Sequence, residues 1–134
     1  MKEPYSWKIV PLSDIPREIL GMKPWDIDLA IQTVKDQSWA FTVALQKNSK
    51  TVGFILIVYN QIYDVLSVDT LAILPRHRSL AILRWLGPHL SALLRIVEAE
   101  RHPRATIIVT KGKAAIQRFM PDRKPRIAEV CVEL

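Results

Sequence analysis

The stretch from Val65 to Glu100, VLSVDTLAILPRHRSLAILRWLGPHLSALLRIVEAE, constrains the fold of this chain most. Val65, Leu66, Val68, Leu71, Ile73 and Leu74 form an aliphatic run closed by Pro75, as a mostly buried strand requires. Beyond the basic turn Arg76-His77-Arg78, leucines 80, 83, 86, 90, 93 and 94 recur at steps of three and four and line one face of a helix. A strand that runs through a tight turn into a long helix places unpaired amides and the positive end of the helix dipole together. That is a natural anion site. Gly87-Pro88 interrupts the leucine pattern, so the spacing predicts either a kinked helix or two consecutive helices.

Around this centre the chain reads as one domain over residues 1–134. Trp7 to Leu12 forms a first strand, Ser13 or Asp14 caps a helix with Pro16 in its first turn, and Trp25 to Val34 resumes helical spacing. Trp39 to Leu45 and Thr51 to Tyr59 are two further strands, the second of which leads through a short connection to the central strand in an antiparallel meander. After the long helix, Ala105 to Thr110 is a buried strand, Lys113 to Met120 a short helix, and Ile127 to Leu134 a final strand. The order is β-α-α-β-β-β-α-β-α-β, an α/β fold with helices covering a mixed sheet. The helix between the fourth and fifth strands requires that pair to be parallel.

Composition narrows the classes of function. Hydrophobic residues make up 49% and charged residues 24%, which describes a folded chain. The net charge of +6 favours anionic partners, either a phosphorylated cofactor, nucleic acid or an acidic protein surface. Cys131 is the only cysteine, so neither a disulfide within the chain nor a cysteine-based zinc site can form. His77, His89 and His102 have no helical metal-ligand spacing, and no metal site is expected. Ser67, Ser79 and Ser91 lack the surroundings of a hydrolase nucleophile. No signal segment or membrane span is read, which implies cytoplasmic synthesis. Two basic regions stand out: Arg76-His77-Arg78 with Arg84, and a second region running from Lys111 to Arg126. Trp7, Trp25, Trp39 and Trp85 are spread along the chain, which fits core or interface packing better than a base-stacking platform.

The order of elements and the central turn resemble the GCN5-related N-acetyltransferase (GNAT) family. Its hallmark is an aliphatic strand, Val-x-Pro, then Arg or Gln, two residues, Gly, one residue, and Gly or Ala. Ile73-Leu74-Pro75 and Arg78-Ser79-Leu80-Ala81-Ile82-Leu83 occupy these places, with Ala81 and Leu83 at the two small-residue positions. The family's later Asn, small residue and Tyr correspond to Gly112, Ala115 and Phe119. The resemblance implies acetyl-CoA as cofactor. Backbone amides after Pro75, with Arg76 and Arg78, would bind its pyrophosphate, and the strand end at Ile73 and Leu74 its pantetheine. Asp69, or a water, would act as the base.

The departures imply a degenerate member. Leu83 is bulky where small residues admit the pyrophosphate, and Phe119 has no proton for a departing thiolate. The tail has room for one strand where the family usually ends in two. The pattern is similar to small acetyltransferase-like proteins of tailed phages, some of them internal virion components. The leading expectation is therefore a non-catalytic protein acting through protein–protein contact in a phage particle, with no bound cofactor. The alternative is an active acetyl-CoA-dependent N-acyltransferase, and the third class is a basic nucleic-acid-binding module.

Overall fold

A computed structural model of the chain describes residues 4–21, 31–32 and 39–108. The elements are β1 (Tyr5–Val10), a 3-10 turn (Leu12–Asp14), α1 (Arg17–Leu20), β2 (Ala40–Lys47), β3 (Lys50–Asn60), β4 (Val65–Ile73), a second 3-10 turn (Pro75–His77), α2 (Leu80–Arg101) and β5 (Ala105–Ile108). Their order within these residues is the one the sequence predicts. The expected second helix from Trp25, the short helix with Gly112, Ala115 and Phe119, and the final strand with Cys131 lie wholly or mostly outside the described residues.

The strands form one mixed sheet in the order β1-β2-β3-β4-β5. The first four strands pair antiparallel as a meander, and β5 lies parallel to β4 with Val65 opposite Ala105 and Val68 opposite Ile108. Helix α2 makes the crossover. The β2–β3 hairpin turns at Asn48 and Ser49, which both have positive φ, as a two-residue hairpin turn demands.

Two bulges decide which side chains face which layer. In β3, Thr51 pairs with Gln46 and Gly53 with Leu45, leaving Val52 as an extra residue. In β4, Thr70 pairs with Leu56 and Val68 with Ile57, leaving Asp69 as the extra residue. An extra residue reverses the alternation of a strand. Leu66 and Val68 before Asp69, and Leu71 and Ile73 after it, consequently all face α2. There they meet Val43, Leu45, Ile55 and Ile57 of the sheet and Ile82, Leu86, Leu90 and Leu94 of the helix. The opposite face carries Ala44, Phe54, Leu56 and Ala72, which pack against Leu12, Ile15, Ile19 and Leu20.

Helix α2 runs unbroken from Leu80 to Arg101 with Pro88 inside it, so the two-helix alternative does not apply. Pro88 lies on the exposed side, where water can reach the Arg84 carbonyl that proline leaves without its helical donor. The neighbouring Trp85 carbonyl accepts a bond from His89 Nδ1 at 2.6 Å. By length and composition α2 could cross a bilayer. Its leucine face instead packs on the sheet, while Arg84 and Arg95 lie on its exposed side. The start of α1 also differs from expectation: Pro16 is its N-cap, and no side chain caps it.

Candidate functional site: the turn from β4 into α2

The candidate residues converge at the end of β4 because β3 and its bulge hold that end in place. The Leu74 amide donates to the Val52 carbonyl at 2.9 Å, so the extra residue of β3 anchors the turn. The turn then closes on itself, with the His77 amide donating to the Leu74 carbonyl at 2.8 Å and the Arg78 amide to the Pro75 carbonyl at 3.2 Å. Arg78 folds back, and its Nε donates to the Ile73 carbonyl at 2.9 Å. Arg76 points to the other layer and pairs with Glu18 of α1 at 3.0 Å, both side chains being exposed.

Helix α2 begins at Ser79, whose Oγ accepts from the Ile82 amide at 3.3 Å. The Leu83 amide donates to the Ser79 carbonyl at 3.4 Å and closes the first turn. The next amides are the ones of interest. Among the described residues, those of Leu80 and Ala81 have no acceptor. They are the orphan donors that every helix start leaves, here at the positive end of a 22-residue helix. Ala81 adds only a methyl group beside them, while the Leu80 side chain is exposed and that of Leu83 is half-buried.

The site lies in a basic field. Burial holds the His77 imidazole below its usual range, and Arg76, Lys47 and Lys50 push the same way, with Glu18 acting in the opposite direction. The hairpin lysines were not among the residues singled out from the sequence. Pairing brings them in, because Lys47 faces Lys50 at the end of the sheet where the turn begins. The sequence signal was the pair of lysines flanking an Asn-Ser turn.

Asp69 occupies the bulge of β4 and is exposed. Pairing with β5 covers Val65 to Val68. The bulge sets Asp69 outside the β3–β4 ladder, and Ile73, Leu74, Arg76, Arg78, Ala81 and Leu83 are grouped around the turn that follows. Phe119 lies outside the described residues. Among the described residues no group of histidine, cysteine and acidic side chains could hold a metal.

This mixed sheet, with its parallel β4–β5 pair, crossover helix and turn, is the GNAT fold. A ribosomal-protein-alanine N-acetyltransferase from Brucella melitensis biovar Abortus 2308 superposes with a TM-score of 0.60 at 14% identity, covering 92% of this chain and 93% of its own. A GNAT family acetyltransferase from Elizabethkingia anophelis, solved with acetyl-CoA bound, gives 0.60 at 12% identity, covering 93% and 88%. A GNAT family protein from Streptococcus pneumoniae TIGR4 gives 0.59 at 13% identity, covering 94% and 91%. The sequence matches no family model and no curated protein.

Proposed function

We propose that this chain binds an acyl-CoA at the start of α2 and transfers the acyl group to an amine. The observation that carries this reading is the pair of acceptor-free amides of Leu80 and Ala81, directly beyond the strand that ends at Ile73. These donors fit a pyrophosphate, since both amides and the dipole favour negative charge there. Arg78, an exposed residue, stands at the same turn, and its Nε is already committed to the Ile73 carbonyl. The acetyl-CoA-bound neighbour of the same fold supports the choice of ligand.

The bound thioester supplies the acyl group. The chain supplies position and a base: Asp69, exposed at the bulge, takes the proton released by the attacking amine, directly or through a water. Holding amine and acyl group together provides much of the acceleration in such a transfer, so a tyrosine at the place of Phe119 is not indispensable.

Leu83 favours a second reading. Its bulky, half-buried side chain stands where the resembling family has a small residue. On that reading the chain keeps the fold without turnover and works through protein contact, as in a phage particle.

Isothermal titration with acetyl-CoA, beside a CoA-free nucleotide, separates the two. The enzymatic reading expects a Kd below about 100 μM, or about −5.5 kcal/mol. Ala81→Asp should weaken binding at least about thirtyfold by setting a carboxylate against the phosphates. The same substitution favours the helix, because an acid at a helix start is stabilising, so lost binding would not reflect lost folding. With an accepted amine, Asp69→Asn should lower turnover about a hundredfold and leave acetyl-CoA affinity unchanged. Absence of heat and of thermal stabilisation would sink the reading and leave the non-catalytic one.

A further inference from the structure

The tip of the β2–β3 hairpin carries a charge arrangement that its own strands do not explain. Lys47 and Lys50 pair directly opposite one another across the turn at Asn48 and Ser49. Like charges so placed destabilise a strand pair. The tip is nonetheless held in position, since the Asn48 amide donates to the Pro4 carbonyl at 2.8 Å and Lys47 lies over the Tyr5 ring at 6.0 Å. Among the described residues, neither lysine forms an ion pair with a carboxylate.

This tip adjoins the turn from β4 into α2. Lys50 opens β3, and Gly53 of the same strand pairs with Ile73 at the end of β4. Val52 between them accepts from the Leu74 amide. Both lysines act on the His77 imidazole of the turn. On the helix side, the Tyr5 ring beneath Lys47 packs 5.9 Å from Trp85, in the second turn of α2. Hairpin tip, turn and helix start thus gather positive charge at one end of the sheet. The acid that acts on His77 there is Glu18, and it is paired with Arg76. Arg78 commits its Nε to the Ile73 carbonyl. That leaves the two lysines to attract an anion.

A cofactor with two separate phosphate groups matches two separate sites of this kind. An acyl-CoA carries a pyrophosphate and, across one ribose from it, a 3′-phosphate. We propose that Lys47 and Lys50 form a second phosphate subsite, which holds that 3′-phosphate. This assignment rests on the acyl-CoA reading of the α2 start, where the Leu80 and Ala81 amides take the pyrophosphate. A phosphate between the facing ammonium groups turns their repulsion into two charge-assisted contacts. Lys50 is exposed and can close on the ligand, while Lys47 is half-buried against Tyr5 and keeps a fixed place. A cofactor without the 3′-phosphate leaves the two charges opposed. The hairpin therefore selects the phosphorylated form.

Titration of the full chain with acetyl-CoA and with 3′-dephospho-acetyl-CoA, in about 50 mM salt, reads this selection directly. The parent chain should bind acetyl-CoA at least about tenfold more tightly, and the ratio should shrink at about 300 mM salt. Lys50→Gln and Lys47→Gln should each bring the two affinities to within about threefold, without weakening the dephosphorylated compound. Lys50→Gln should also melt slightly above the parent when no ligand is present, because it removes one of two facing like charges. Equal binding of the two compounds by the parent would overturn the inference and leave acyl-CoA binding standing. So would a preference that survives both substitutions. No binding of either compound would sink the acyl-CoA reading, and this assignment with it.

Discussion

Phe54→Ala is expected to destabilise the protein by about 4 kcal/mol, read as a lowered urea midpoint with an unchanged denaturant slope. Phe54 sits in the middle of β3, is 0% exposed and faces the α1 layer. Around it lie Leu12, Ile15, Ile19 and Leu20, which belong to a three-residue 3-10 turn, a four-residue helix and the link between them. Segments so short have no helical stability of their own and persist only by packing. Removing the ring therefore leaves a cavity and also takes away the surface that orders this layer. The expected loss is a large share of the total for a domain of this size. A cost under about 1.5 kcal/mol would show that the layer can collapse onto the sheet without Phe54.

Gly53→Ala should be the next most damaging, at about 3 kcal/mol, measured the same way. A glycine-to-alanine change in a strand ordinarily stabilises slightly, because alanine has less backbone freedom to lose. Here the sign reverses for a steric reason. Gly53 has no positive φ, so alanine would meet no dihedral strain. A Cβ at this position would come within 2.5 Å of the Ala72 carbonyl oxygen and 3.1 Å of the Ile73 Cα. Both are backbone atoms of β4 and cannot rotate away. The substitution must push β4 from β3 at the point where the turn toward α2 begins. If Gly53→Ala proves neutral, the close approach of the two strands at this bulge is wrong.

The candidate site residues lie together because they are contiguous in the chain. Ile73 through Leu83 occupy one turn and the helix start that follows, so local spacing alone places them together. The acceptor-free amides of Leu80 and Ala81 follow from the helix geometry that the leucine repeat announces. The sequence reading also expected the fold order, and the described elements agree with it. It missed the two bulges, because an extra residue leaves no mark in an aliphatic run that is buried on both faces. Val68-Asp69-Thr70 looks the same with or without a bulge. Only the pairing of Val68 with Ile57 and Thr70 with Leu56 shows that Asp69 stands outside the ladder.

The tryptophans teach the complementary lesson. Spread through the chain, they fit core or interface packing, and Trp39 does pack with Phe41 and Tyr59 beside Arg101. That Trp7 and Trp85 meet depends on β1 pairing with β2 and on α2 covering the face of the sheet from which Trp7 projects. The basic field around His77 likewise joins Lys47 and Lys50 to Arg76 across strands distant in sequence. By itself the sequence determined the periodicities, the proline-bounded strand, the helix that runs from it and the excess of positive charge, since each is a local property of consecutive residues. The tertiary structure alone decided the placement of Asp69, the tight approach at Gly53 and the meeting of Trp7 with Trp85. Strand register and the crossing of α2 over the sheet set all three, and these emerge only when distant segments bury their apolar faces against one another.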